Sequence, residues 1–518
     1  MMLIARLQSP TPTLTPYATT PSNDLRSSNI THRTMYLDVV HPQSICQKPI
    51  LSSLNPNQAI SSSSPRLPQD VFDMLIYHLC PHKPTLSACS LTCRSWLPIA
   101  RFYLFSEIRL DLMTSWRYTE PHAVTDVDDD LFAGPRRDGI LHTFIHFLDD
   151  TPLTATYIRQ LVIQAEHPLH YLDDIARYIS PAIMLALLEK LPLIQDICLR
   201  NLRWGAIEPI QPFHPSFQSH TLRSLYLDGI SFYFNATKPE NNGIKHLLNF
   251  FNRIEFLGTN RMEVVTSLYE DQNYAPSAPI HINSLRQRCV AKDASLVMIV
   301  HECIAKDTLE HLELEEMSDI CTAEVSALIH KQINSLSSII IDIEQLTYLP
   351  SLEYDFKELH LSECRRLSTA CLEIGLTCIT SNDGSNCQSL FAADHFMAFL
   401  AGLPPTISQI TLTIHTRKVS WKASDEPFMI FNFCEDWPWV DIDVLINKLI
   451  NLRMLKVLLM KEFSKESVDI IINEEAQKQY FCRVFGLLPS LKGKEISADV
   501  VYKSGEGSRN ISSEEVVD

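Results

Sequence analysis

Two groups of side chains in this sequence have the spacing of a metal site. His142 and His146 are one helical turn apart, which would let two imidazoles share a metal ion. The same segment carries an apolar stripe, so the histidines are better explained as flanking a core-facing helix. The acidic run Asp126–Asp130 imitates the start of a calcium loop, but Leu131 stands where that loop needs glycine. The sequence therefore predicts no metal site.

The other motifs of catalysis are incomplete as well. Gly486 and Gly493 are separated by six residues instead of the four of a phosphate-binding loop, and Glu495 stands where a hydroxyl would hold magnesium. No G-x-S-x-G nucleophile elbow occurs, and the chain has only 13 glycines. Cys364, Cys371 and Cys378 recur every seven residues, which predicts one buried helix face. We therefore expect no enzyme and no cofactor.

Charge and cysteine usage restrict the partners and the compartment. Among 518 residues, 61 acidic side chains face 44 basic ones, a formal net charge of −17. Such a field repels phosphate backbones and anionic lipid, so neither nucleic acid nor a membrane surface is an expected partner. The 14 cysteines follow no short spacing, and no apolar run approaches the ~18 residues of a membrane span. These features predict reduced cysteines and a cytoplasmic or nuclear location.

Composition also divides the chain. Residues 1–64 are rich in proline, serine and threonine, and residues 501–518 are polar, so both segments are expected to be disordered. Residues 65–110 have the apolar spacing of three short helices, with Pro68 and Pro98 at helix starts. Residues 111–157 form a predicted helical connector with an acidic loop, and 158–500 a larger domain.

The first folded segment resembles the F-box. LPQDVFDMLIYHL at 67–79 is followed by LSACSLTCRSWLPIARFYLF at 86–105, which together match the family's leucine-proline start and its Cys-x-x-Trp close. A longer connection at 81–84 departs from the family pattern, as does aspartate in place of the commoner glutamate at position 70. The resemblance implies a surface for the linker protein of a cullin complex, with these residues: Leu67, Pro68, Asp70, Val71, Leu75, Ile76, Leu79, Cys93 and Trp96.

The larger domain carries a recurring hexapeptide of the form L-x-x-L-x-L. Its copies start at Ile158, Ile194, Leu222, Phe251 (Phe251/Ile254/Phe256), Leu285 (Leu285/Arg288/Val290), Leu309, Leu336, Phe356 (Phe356/Leu359/Leu361), Ile407 and Leu452, with a weak one near Leu491. From Ile158 to Phe356 is 198 residues in seven intervals, a mean of about 28 that is typical of leucine-rich repeats. Two longer gaps predict insertions near 381–390 and 416–440.

We therefore predict an α/β chain, in which a three-helix F-box precedes a leucine-rich-repeat-like solenoid with a parallel sheet on its concave side. A non-repetitive α/β domain, in which the pattern arises by chance, is the alternative. In each copy the leucines point into the core, so the intervening side chains project from the opposite face. These are Gln195, Asp196, Arg200, Arg223, Tyr226, Asp228, His311, Glu313, Glu315, Lys357 and His360.

The two modules together imply an adaptor of an SCF-type ubiquitin ligase. By the resemblance, the F-box docks on the linker protein and through it on a cullin, while the repeat domain holds a protein substrate. The acidic copy Glu310–Glu316 would suit a substrate with a basic segment. An F-box scaffold acting outside ubiquitination is the alternative, and an enzyme with an unrecognised site is a third class.

The first prediction concerns the helix start. A Leu67→Ala/Pro68→Ala variant should capture far less linker protein, because burying one large apolar side chain contributes about 1.5–3 kcal/mol. The measurement is a pull-down of the purified linker protein by the full chain. Capture at the wild-type level would contradict the F-box assignment.

Overall fold

A computed structural model of the chain describes residues 69–80, 82–92, 94, 96–112, 139–165, 178–205, 220–233, 243–265, 279–289, 294–317, 321–343, 356–376, 387–416, 437–463 and 488–504. All of these residues belong to one compact unit. The predictions for Leu67, Pro68, Cys93, Asp126–Asp130 and the segment 1–64 lie outside the described residues.

Three short helices open the described chain: α1 (Gln69–His78), α2 (Lys83–Thr92) and α3 (Leu97–Phe105). Pro84 lies in the first turn of α2 and Pro98 in the first turn of α3, where the missing N–H costs nothing. Their shared core is small. It consists of Ile76, Leu86, Cys89 and Ala100, with Leu79 and Trp96 packed against it.

A long parallel sheet follows these helices. Twelve strands form it in the order β1-β2-β4-β6-β8-β10-β11-β12-β13-β14-β15-β16, and four short strands form a second sheet in the order β3-β5-β7-β9. The strands are β1 (Glu107–Asp111), β2 (Gln160–Gln164), β3 (Tyr178–Ile179), β4 (Asp196–Arg200), β5 (Arg203–Trp204), β6 (His220–Asp228), β7 (Ser231–Tyr233), β8 (Phe251–Asn260), β9 (Glu263–Val265), β10 (His281–Arg288), β11 (His311–Glu315), β12 (Ser338–Asp342), β13 (Thr369–Leu376), β14 (Gln409–Thr416), β15 (Met454–Phe463) and β16 (Glu495–Ser504). The chain is therefore α/β, and β16 runs across the boundary predicted at residue 500.

Helices occupy the connections between the strands of the long sheet. They are α4 (Gly139–Asp150), α5 (Pro152–Ala155), α6 (Pro181–Lys190), α7 (Ile244–Leu248), α8 (Ala294–Cys303), α9 (Thr322–Lys331), α10 (Cys387–Gly402) and α11 (Trp439–Lys448). Successive helices pack on one another, as α7 does on α8 and α8 on α9. One continuous apolar core joins these helices to the inward side chains of the strands. Parallel strands need such crossovers, because a hairpin cannot return the chain in the same direction.

A repeated backbone arrangement precedes the strands. The carbonyl of Ser337 accepts hydrogen bonds from the N–H groups of Ser368 (2.9 Å) and Thr369 (3.2 Å). The carbonyl of Ser368 accepts in the same way from Ser408 and Gln409, and the pattern is found at other successive strands. The hydroxyls of Ser368 and Ser408 donate to the same carbonyls, at 3.2 Å and 3.0 Å. The strands are thus held in one fixed register.

That register corrects two of the predicted copies. In β8, Ile254 and Leu257 lie opposite Leu222 and Leu225 of β6, so the copy is Ile254/Leu257/Thr259 and not Phe251/Ile254/Phe256. In β10, Leu285 lies opposite Leu257, so the copy is Ile282/Leu285/Gln287 and not Leu285/Arg288/Val290. The third inward position is polar in both copies, although Thr259 and Gln287 are buried. Because this position is polar in both strands, neither matches the L-x-x-L-x-L pattern.

A third copy, Phe356/Leu359/Leu361, is not a strand. Phe356–Leu359 and Leu361–Glu363 are short 3₁₀ helices, and the first of them packs against α9 and α10. Phe356 and Leu359 are three residues apart, a spacing that fits one turn of a 3₁₀ helix as well as the first two apolar positions of the repeat. The strand copy here is Leu367/Ala370/Leu372, whose small central residue made it inconspicuous. Cys371 lies in this strand, so the predicted helix face of cysteines is wrong.

The sheet also begins earlier than predicted. Phe105, Ile108 and Leu110 have the spacing of the repeat and pack against the large core, and β1 pairs in parallel with β2. The sheet thus starts at Glu107 and not near residue 158. The three-helix unit is therefore joined directly to an edge strand of the long sheet.

The register of β8 can be tested by mutation. Leu257 is fully buried and Phe256 is not, so Leu257→Ala should lower the free energy of unfolding by about 2–5 kcal/mol and Phe256→Ala by clearly less. Denaturant unfolding of the full chain, followed by circular dichroism, measures both. A larger loss of unfolding free energy for Phe256→Ala than for Leu257→Ala would support the register predicted from the sequence instead.

Candidate functional site

Alternate side chains of the long sheet point away from the core, because successive residues of a strand face opposite sides. We call this surface the outer face. Strand registers align a central row of twelve residues across the sheet. These are Arg109, Val162, Cys198, Tyr226, Gly258, Arg286, Glu313, Ile340, Cys371, Thr411, Lys456 and Ser497. The predicted residues Arg200, Tyr226, Asp228, His311, Glu313 and Glu315 lie on this face, since they alternate with buried leucines.

Tyr226 forms a flat platform on the outer face. A Cβ at position 258 would lie 2.8 Å from Cε2 of the Tyr226 ring, so only glycine lets the ring lie across β8. The Arg200 guanidinium stands over the same ring, 5.9 Å from its centre. Burial raises the pKa of Tyr226 to about 12, which keeps its hydroxyl protonated at physiological pH.

Ion pairs between neighbouring segments hold the acidic residues near Tyr226. Arg223 donates from Nε to Oδ1 of Asp196 at 2.9 Å, and the Ser224 hydroxyl donates to the same oxygen at 2.7 Å. Arg261 donates from Nε and Nη2 to Oδ1 of Asp228, at 2.9 Å and 2.8 Å. Arg261 has a left-handed backbone with φ of 48°, which turns the chain just after β8. Arg223, Asp196 and Asp228 are therefore engaged within the protein.

The acidic copy on β11 is paired with arginines of the preceding strand. Arg286 donates from Nε to Oε1 of Glu315 at 2.6 Å and lies 3.4 Å from Oε1 of Glu313. Arg288 pairs with Glu316 in the same way. Burial raises the pKa of Glu313 to about 7, against the opposing effect of Arg286. Arginines therefore offset much of the negative charge that the sequence places on this copy.

The sequence shows Arg286 and Arg288, but the predicted copy Leu285/Arg288/Val290 has the wrong strand register. Arg286 stands between the inward residues Leu285 and Gln287, which puts it on the outer face. A second pair missed by sequence reasoning joins Nε2 of His415 to Oε2 of Glu373 at 3.1 Å. Both residues are in strands next to each other, β13 and β14.

His360 and Lys357 do not lie on the outer face, so their predicted position on the concave strands is wrong. Both belong to the segment of 3₁₀ helices between β12 and β13. His360 has a left-handed backbone, with φ of 55°, and its Nδ1 lies 3.0 Å from Oε1 of Glu363. Its ring centre lies 6.1 Å from that of His330 on α9, so His360 belongs to the helical side of the molecule.

The three-helix unit presents a second surface. Met74, Leu75 and Tyr77 on α1 are 55%, 50% and 46% exposed, and Leu91 on α2 is 84% exposed. Ile76 is buried among the helices, while Val71, Leu79 and Trp96 are partly buried. Met74 and Tyr77 lie one turn apart on α1, whereas Leu91 belongs to α2. Apolar side chains that are contiguous on a surface can bind another protein, and isolated ones are ordinary. We call the four exposed residues Met74, Leu75, Tyr77 and Leu91 the apolar patch.

Within the described ranges, no group of three or more histidine, cysteine, aspartate or glutamate side chains could hold a metal ion. His142 and His146 are exposed on α4. No helix in those ranges is long and apolar enough to cross a membrane.

Comparison with known proteins adds no relative. No family model matches the chain, and no curated protein matches its sequence. The interpretation of the outer face and the apolar patch therefore depends on their own residues.

The raised pKa of Glu313 predicts a pH dependence of stability. The folded state favours the neutral form of the Glu313 carboxyl. Its contribution to the free energy of unfolding is therefore full below the ordinary pKa of 4.5 and is lost as the pH rises through about 7. A Glu313→Gln variant stays neutral and should therefore gain stability relative to the wild type between about pH 5 and about pH 8. Thermal unfolding at both pH values measures this, with the exposed Glu310→Gln as control. A Glu313→Gln difference that does not change with pH would contradict the assignment.

Proposed function

We propose that this chain is the substrate-recognition adaptor of an SCF-type cullin ubiquitin ligase. In this proposal the three-helix unit docks on the linker protein, and the outer face of the long sheet holds a protein substrate. The observation that carries the proposal is the apolar patch, since four large apolar side chains are exposed on a unit whose own core is small. Its sequence is the one that resembles the F-box.

The patch needs a partner for a physical reason. Helices of about ten residues with four buried side chains give little apolar burial of their own. Covering Leu75, Met74 and Leu91 would remove further apolar area from water, at about 25 cal/mol per Å². A partner surface with complementary apolar pockets would therefore bind here and stabilise the unit at the same time.

We further propose that the long sheet is the inner wall of a leucine-rich-repeat-like solenoid, with the outer face on its concave side. Three features support this. Neighbours in the sheet are successive strands of the chain, the connecting helices pack in series, and the same carbonyl arrangement recurs between strands. Left-handed residues Asn201, Gly229, Arg261 and Glu316 follow the ends of four strands, as a repeated corner requires.

Such an adaptor acts by binding two partners in a fixed geometry. The chain would bring a substrate close to a ubiquitin-charged enzyme, which raises the local concentration of the reacting groups. The direct attachment of the three-helix unit to the edge strand β1 supports this, because it leaves no long linker between the docking surface and the sheet. No residue of this chain needs to take part in the chemistry.

A charge placed in the apolar patch tests the proposal. Leu75→Asp should reduce capture of the purified linker protein by roughly 10-fold or more, because a carboxylate cannot be buried without a partner. Ile450→Asp is the matched control, since Ile450 is 77% exposed but follows α11, outside the patch. Equal capture by the two variants and the wild type would refute linker docking at this surface.

The same pull-down, made from cells, separates the ligase adaptor from an F-box scaffold. Capture of a cullin together with the linker protein supports the adaptor. A known adaptor that recovers a cullin under the same conditions is the positive control. If this chain then repeatedly captures the linker protein without a cullin, the scaffold is favoured.

A further inference from the structure

Arg200 differs from the arginines of the outer face that are paired with carboxylates. Its Nε is buried without a hydrogen-bond partner, and no carboxylate of the described residues lies in ion-pair distance of it. Because the buried Nε is closed to a ligand, an anion would be bound through the terminal Nη groups of the guanidinium. Five other arginines on or beside this face each lie within 3.8 Å of a carboxylate: Arg109, Arg223, Arg261, Arg286 and Arg288.

The position of Arg200 is fixed by its neighbours. The guanidinium lies over the Tyr226 ring, and the ring in turn lies against Gly258, where any side chain would overlap it. Stacking on an aromatic ring orients a guanidinium while leaving its N–H edge available for a planar acceptor. Little ordering of these side chains is therefore needed when an acceptor binds.

The surrounding charges indicate which anion fits. The nearest strand carboxylates are already engaged, Asp196 by Arg223 and Ser224, and Asp228 by Arg261 and Asn260. Arg200 therefore contributes one positive charge that no described carboxylate offsets. A phosphate, with nearly two negative charges, would leave an excess beside Asp196 and Asp228, whereas a carboxylate would be matched.

We propose that Arg200 and Tyr226 form an anchor for an aspartate or glutamate side chain of a bound protein segment. The inference rests on the proposed function in one respect, because it takes the outer face as the substrate surface. It replaces the expectation of a basic segment on the β11 copy, whose glutamates are paired with Arg286 and Arg288. The anchor lies on β6 and β4, three and four strands away from β11 in the sheet order.

Selection from a displayed library of random 16-residue peptides tests the anchor. The immobilised full chain should enrich peptides with an aspartate or glutamate at one position. Changing that residue to its amide should weaken binding roughly 10- to 100-fold, as expected for a hydrogen bond to a charged group. The Arg200→Gln chain should bind the acidic and amide peptides equally.

Two further variants keep the test decisive. Tyr226→Leu removes the platform but not the charge, and should lose most of the acidic preference as well. Arg365→Gln is the matched control, because Arg365 is exposed in the turn before β13 and not on the outer face. It should retain the preference in full.

Three results would overturn the anchor. These are no acidic enrichment by the wild-type chain, an unchanged preference in Arg200→Gln, or tighter binding when phosphoserine replaces the selected acidic residue. Capture of the linker protein is measured for each variant in parallel. Intact capture with a failed anchor leaves the proposed function standing, whereas failed capture by the wild type counts against that function itself.

Discussion

The parallel pairing of successive strands is the constraint on which the rest of this molecule depends. At seven junctions of the long sheet the carbonyl before a strand accepts two consecutive N–H groups from the start of the next strand, as Ser337 does from Ser368 and Thr369. That arrangement fixes the register, and the register decides which side chains enter the core. Since parallel neighbours require a crossover, each connection must leave the sheet and return to it. The described helices in these connections bury one face of the sheet in a continuous apolar core.

The division of faces explains the charge pattern of the outer face. Arginines and carboxylates on neighbouring strands are about 4.8 Å apart in the pairing direction, close enough for direct ion pairs. Arg223 with Asp196 and Arg286 with Glu315 are such pairs. Asp196 is buried and Arg286 and Glu315 are mostly buried, so removing one partner of either pair would leave a charge uncompensated. The pairs also affect recognition, because a charge that is already paired is less available to a ligand.

The three-helix unit obeys a different constraint. It has too few residues for a large core, and the prolines at the starts of α2 and α3 bring three helix faces together within a short length of chain. Ile76 and Leu86 are used inside the unit, so Leu75 and Leu91 remain outside. The apolar patch is thus a consequence of size as much as of sequence.

The sequence by itself determined the α/β class, the three helices before residue 106 and most of the inward leucines, because apolar spacing reflects burial directly. It failed where the inward residue is polar or small, as at Thr259, Gln287 and Ala370, and where a 3₁₀ turn imitates the strand spacing at Phe356. Only the tertiary structure decided which charges meet. Arg286 and Glu315 are 29 residues apart in the chain, and strand register, which depends on the whole core, places them together. The same register sets Tyr226 over Gly258 beside Arg200, which pairs with no carboxylate of the described residues, and no local pattern encodes that arrangement.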